Sequence, residues 1–185
     1  MGSDKATLRL GPAAEPLWRI QWKKLASLRP ASQYLSVRPD QDVSMLAFPG
    51  QALVDRWTDI GPLGGLLTVL EEVAVRDPSG IVLVLAVDLA LMDDGFLEDL
   101  AYESQGGVGR VVMRSGRYEP LAATYPVAMR DAGHFLRRHG RHALHDFVRE
   151  GLARDLMETM PLGDHPPEIF SNLNTPEDLV RLRRD

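Results

Sequence analysis

An α/β domain, with a mainly parallel sheet covered by helices on both faces, is the fold class this sequence predicts, and three patterns predict it. The apolar run from Ile81 to Val87 is too short for a buried helix and closes on an acidic residue, Asp88, as a central parallel strand does. Ahead of it, Leu63, Leu66, Leu67, Leu70, Val73 and Ala74 recur at helical spacing, with Glu71 and Glu72 off that stripe. The rest of the chain alternates strand-like and helix-like segments, the pattern of strands joined by helical crossovers.

In chain order, the periodicities predict a helix near 15–28 and strands near 33–38 and 52–54. They then predict a helix over 62–76, the strand ending at Asp88, a helix near 93–104, strands near 109–114 and 119–125, and a helix near 126–138. Pro161 to Pro167 reads as a surface loop before the last strand, because consecutive prolines cannot donate to a ladder. No internal repeat, low-complexity tract or interdomain linker interrupts the series, so residues 1–185 read as a single domain.

Composition narrows the function. The sequence is 44% apolar and 25% charged over 185 residues, enough for one good core. A net charge of −5 speaks against a nucleic-acid surface, which needs clustered cations. No run approaches a membrane span and the N-terminus lacks signal-peptide character, so a cytoplasmic protein with no membrane partner is expected. With no cysteine, thiolate ligands and cysteine nucleophiles drop out.

In α/β sheets ligands bind beyond the carboxyl ends of the strands, which directs attention to a few residues. Asp88 follows the buried strand, where a carboxylate can hold Mg²⁺ against phosphate oxygens, although capping the next helix or closing the strand in solvent explains it equally well. Gly61, Pro62, Leu63, Gly64 and Gly65 open a helix whose unpaired amides favour anions; a tight turn would use the same glycines. Asp55 ends the strand near 52–54 and is expected at the same sheet edge as Asp88, its alternative being an exposed loop aspartate. Asn172 and Asn174 lie on one side of an extended segment and offer donors and acceptors to a heterocycle, while Thr175 and Pro176 start a helix that Asn174 could also cap. His139, His142 and His145 lack the spacing of a zinc helix and read as part of a solvated basic face. Neither a nucleophile elbow nor a Walker loop occurs.

Taken in order, MGSDKATL at 1–8, VD at 54–55, GPLGGL at 61–66, the strand ending at Asp88, EPLAATY at 119–125 and NLNTPEDL at 172–179 resemble the molybdenum cofactor guanylyltransferase family across nearly the whole chain. The resemblance implies a three-layer α/β/α nucleotidyltransferase of Rossmann-like fold. It would transfer GMP from GTP to molybdopterin with release of pyrophosphate, using Mg²⁺. By motif match, Lys5 and Asp88 are the expected catalytic residues, with Lys5 neutralising triphosphate charge and Asp88 holding the metal. Lys5, Arg38, Asp55, Gly61, Pro62, Leu63 and Gly64 would bind the nucleotide, and Asn172 and Asn174 the pterin. Molybdenum-insertion or molybdoenzyme chaperone proteins are the candidate protein partners.

Two departures temper the match. Ala90 stands where the family usually has proline, and the sequence opens at the methionine of a motif that the family precedes with a strand, Leu-Ala-Gly-Gly and an arginine. The chain is therefore read as N-terminally truncated, its first strand and glycine-rich loop missing from between the strand near 33–38 and the one ending at Asp88. A non-catalytic pterin- or partner-binding homologue, and a cytidylyl- or sugar-phosphate nucleotidyltransferase, are the alternatives. The related cytidylyltransferases typically carry acidic residues where this chain has its asparagine pair.

Overall fold

The computed structural model describes residues 15–41 and 48–172. Helix α1 (Leu17–Ser27) leads to two short strands, β1 (Tyr34–Val37) and β2 (Gln51–Val54), and then to α2 (Pro62–Arg76) and β3 (Ile81–Leu85). Helix α3 (Asp94–Glu103) precedes a hairpin of β4 (Gly109–Arg114) and β5 (Arg117–Pro126), followed by α4 (Met129–Arg138), α5 (Leu144–Ala153), β6 (Met157–Met160) and a 3₁₀ turn, Pro167–Phe170.

The described strands form two sheets. β1 and β2 pair in parallel, and the second sheet runs β3-β5-β4-β6. β5 is antiparallel to both β3 and β4, while β4 and β6 are parallel. The α/β class stands, and among the described residues two strand pairs are parallel and two antiparallel, a more mixed pairing than the mainly parallel sheet that was expected. The antiparallel pairs come from the hairpin, whose turn at Ser115 and Gly116 uses positive φ angles of 48° and 76°, so that β5 returns directly alongside β4.

Alternation along the strands builds a core on each face of the larger sheet. Val111, Ala123 and Tyr125 join Leu63, Leu67, Leu70, Leu136 and Phe147 of α2, α4 and α5 on one side. Val112 and Ala122 join Phe96, Leu97 and Leu100 of α3, with Ile169 and Phe170, on the other. β3 obeys the same rule, sending Val82 and Val84 to the first core and Leu83 and Leu85 to the second. Leu63, Leu67 and Leu70 are fully buried, and each such side chain contributes roughly 1.5–3 kcal/mol of apolar transfer free energy.

The central place expected for the strand before Asp88 changes. β3 is terminal in its sheet: β5 covers one edge, the other has no ladder partner among the described residues, and all five of its residues are only half-buried. The loop from Pro161 leads into the 3₁₀ turn, which starts at Pro167 and buries Ile169 and Phe170, and the strand expected after it would lie outside the described residues. Helix α5 and strand β6 had no counterpart among the predicted elements. Among the described residues no helix is long and apolar enough to cross a membrane.

Candidate nucleotide site

The β2–α2 connection is built around glycines whose absent side chains make room for polar groups. Gly61 caps α2 with φ +59°, a conformation that favours glycine, and Pro62 occupies the first turn, where its missing N–H is harmless. A Cβ on Gly64 would lie 2.0 Å from the Trp57 carbonyl oxygen, and one on Gly65 would lie 2.3 Å from Ser36 Oγ. The helix can therefore start hard against the ends of β1 and β2. Thr68 ties the turn to its first coil: its hydroxyl donates to the Gly64 carbonyl at 2.9 Å and accepts from the Arg56 amide at 3.0 Å. Leu63, expected among the nucleotide-binding residues, has its side chain in the core, which leaves only its main chain for a ligand.

Asp55 sits in this turn. Its amide donates to the Val37 carbonyl at 2.8 Å, continuing the β1–β2 ladder, and Ser36 Oγ donates to Asp55 Oδ1 at 2.5 Å. Burial pushes the Asp55 carboxyl above the usual carboxylate range, against the opposing pull of the Ser36 hydroxyl and the Arg38 charge. Arg38 follows β1, exposed, its Nε donating to Asp40 Oδ1 at 3.1 Å. Asp55 and Asp88 do not close neighbouring strands, because β2 and β3 belong to different sheets.

Asp88 lies in the turn after β3, partly exposed. It does not cap α3: that role falls to Asp93, whose Oδ1 accepts from the Gly95 amide at 3.1 Å. Leu89 and Met92 anchor the turn in the core, and α1 grips it through Gln21 and Lys24, whose side chains donate to main-chain carbonyls on either side of Asp88. Beyond it, His165 bridges Asp93 Oδ2 at 2.7 Å and Asp99 Oδ2 at 2.9 Å. Those two carboxylates hold the imidazole above its usual pKa, Asp99 most strongly, and the His165 contact holds Asp93 below its own.

Among the described residues no group of three or more histidine, aspartate or glutamate side chains is placed to hold a metal by itself. The basic segment supplies none: His139 Nδ1 lies 2.8 Å from the Phe135 carbonyl and the His145 ring tilts against Tyr118. Asn172 is exposed at the end of the described segment, while Lys5 and Asn174 lie outside the described residues. The sequence reading missed Ser36, Thr68, Gln21, Lys24 and His165. For Gln21 and Lys24 a signal existed, since both fall on the buried stripe that Leu17 starts, where polar residues have no packing reason to be.

The MobA-like NTP transferase domain model matches residues 1–156. A probable molybdenum cofactor guanylyltransferase from Opitutus terrae is 32% identical over 185 residues, covering 100% of this chain and 89% of that protein. This chain belongs to the MobA-like NTP transferase family. It is accordingly a nucleotidyltransferase. A molybdenum cofactor guanylyltransferase from Mesorhizobium japonicum is 26% identical, covering 99% of this chain and 88% of its own. Among solved structures, molybdopterin-guanine dinucleotide biosynthesis protein A from Archaeoglobus fulgidus superposes with a TM-score of 0.74 at 19% identity, covering 99% of this chain and 90% of its own. The 2-C-methyl-D-erythritol 4-phosphate cytidylyltransferase of Thermus thermophilus gives 0.69 at 16% identity, covering 98% and 94%. At such identities these structures speak for the fold alone.

Proposed function

We propose that the protein is a molybdenum cofactor guanylyltransferase, transferring GMP from GTP to molybdopterin with release of pyrophosphate. The observation that carries this reading is the 32% identity, over the whole chain, to a relative of that name. The terminal phosphate of molybdopterin is already an anionic nucleophile, so the reaction needs no strong general base. What the protein must supply is alignment and relief of charge repulsion at the α-phosphate.

Roles follow for individual residues. The Gly61–Gly65 turn and Asp55 receive the nucleoside, with Arg38 beside them; Lys5 offsets triphosphate charge; Asn172 and Asn174 receive the pterin. The donor chemistry around Asp88 suits Mg²⁺, which is commonly bound by one or two carboxylates plus substrate phosphates and retained waters rather than by an all-protein cage. When bound, the ion would neutralise charge on the phosphates. The remaining work belongs to the chain: Asp88 fixes one ligand position, and Gly61, exposed and with open space where a side chain would stand, leaves the main chain before α2 approachable. The setting we propose is cytoplasmic, with GTP and molybdopterin as substrates.

The test is Asp88→Ala, read as pyrophosphate release from GTP and molybdopterin alongside a thermal melt. A fall of about 100-fold or more at an unchanged melting temperature is expected, comparable to losing a principal electrostatic contact in a transition state. Turnover at the parental rate would remove Asp88 from the mechanism. Equal turnover with CTP would move the protein to the cytidylyltransferase alternative.

A further inference from the structure

We propose that Gln21 and Lys24 are positioning residues for the metal-binding turn, holding its main chain so that the Asp88 carboxylate is presented to the cation in one place. The proposal rests on the reading of Asp88 as the cation ligand.

Positions 17, 21 and 24 share one face of α1. Leu17 is fully buried there and Gln21 is only 3% exposed, yet positions 21 and 24 carry an amide and an ammonium in place of apolar side chains. Gln21 Nε2 donates to the Ala86 carbonyl at 3.1 Å and reaches the Val87 carbonyl at 3.5 Å. Lys24 Nζ donates to the Ala90 carbonyl at 2.9 Å and the Met92 carbonyl at 2.5 Å. Two carbonyls before Asp88 and two after it are thus held by one helix face. Besides the Ala86 amide's bond to the Leu121 carbonyl of β5 at 2.8 Å, the main chain contributes Leu89 N to Ala86 O at 3.3 Å and Met92 N to Leu89 O at 3.0 Å within the turn.

Gln21 Oε1 is buried without a hydrogen-bond partner among the described residues. Flipping the amide would turn that oxygen toward two carbonyl oxygens, so the donor contacts fix its orientation and leave an acceptor unmet, which is destabilising. A leucine would fill nearly the same volume without that unmet acceptor, its cost being the contacts to the Asp88 turn. Packing therefore does not account for glutamine here, whereas a grip on the Asp88 turn does. Burial lowers the pKa of the half-buried Lys24 ammonium, with the charges of Asp94 and Asp93 opposing it.

The experiment compares Gln21→Leu, Lys24→Met, Lys24→Arg and Asp88→Ala in the full chain. Its readouts are formation of the protein–Mn²⁺–GTP complex by water-proton relaxation, GTP binding with chelator present, and melting temperature. Gln21→Leu relieves the unmet Oε1 but leaves the Ala86 and Val87 carbonyls without that donor, so its melting temperature should stay close to the parental one while it binds Mn²⁺–GTP about 10-fold more weakly, the usual scale for groups that orient a metal ligand. Metal-free GTP binding should be unchanged. Lys24→Met should weaken the complex in the same way, and Lys24→Arg should restore most of it. Parental Mn²⁺–GTP affinity in Gln21→Leu and Lys24→Met, with the metal-dependent part lost in Asp88→Ala, would overturn the positioning role alone. Parental affinity in Asp88→Ala would instead remove the ligand assignment beneath it.

Discussion

Replacing Gly65 with alanine probes the packing that holds Asp55 at the strand ends. The new Cβ would lie 2.3 Å from Ser36 Oγ, and 3.1 and 3.4 Å from the two Asp55 carboxylate oxygens. Least movement is required if the Ser36 hydroxyl rotates away, which breaks its 2.5 Å bond to Asp55. Hydrogen bonds to charged groups contribute about 1.5–3 kcal/mol, and this carboxylate is already penalised by burial. Against that, alanine is better than glycine inside a helix by about 0.5–1 kcal/mol. The expected net loss is about 1–2 kcal/mol, measurable as a lower urea midpoint at unchanged slope.

The decisive assay is the double-mutant cycle with Ser36→Ala. Without the hydroxyl the severe overlap is gone, so alanine at 65 should cost much less in that background, and the coupling should be about 1 kcal/mol or more. The 3.1 Å approach to Asp55 keeps the double variant from being wholly neutral. Additive losses, or a single Gly65→Ala variant as stable as the parent, would refute the packing described for Ser36, Asp55 and α2.

Two further outcomes are expected. Tyr125→Phe should lose about 1–2 kcal/mol in urea unfolding, because the buried hydroxyl donates to the Pro120 carbonyl at 2.7 Å and its removal leaves that acceptor unpaired. His165→Gln should be pH-dependent in its effect. The histidine's pKa is raised, so its contribution is complete below the ordinary imidazole value of 6.5 and lost as pH rises through the folded value; that of Asp93 is lowered, so its share is present above the ordinary 3.8 and lost in acid. The difference in unfolding free energy from the parent should accordingly be largest between those two values and shrink by pH 9, with a magnitude below about 1 kcal/mol because the carboxylates are partly exposed. Equal differences at pH 6 and pH 9 would dissociate His165 from the bridge.

Much of the fold is legible in single segments, for local reasons. The α2 stripe from Leu63 to Ala74 predicts its helix with both boundaries, since Gly61 and Pro62 start it and Asp77 and Pro78 follow it. The apolar run before Asp88 likewise predicts a strand. Helix α5 was hidden because the neighbouring histidines and arginines masked the stripe of Leu144, Phe147, Val148 and Gly151, and β6 because its two exposed glutamate and threonine positions dilute a four-residue signal.

Sequence alone determined which residues carry charge to the strand ends, and the motif order that marks the family, because both are properties of the chain read locally. Tertiary structure decided how the strands pair, that the carboxylates of Asp55 and Asp88 close strands of separate sheets, and that Gln21 and Lys24 reach carbonyls 65 to 68 residues away. The stripe of α1 marks Gln21 and Lys24 as misplaced polar residues, but nothing local names the carbonyls they reach. These contacts exist only once the apolar faces of α1 and the sheet have been brought together and the unpaired carbonyls between them need donors.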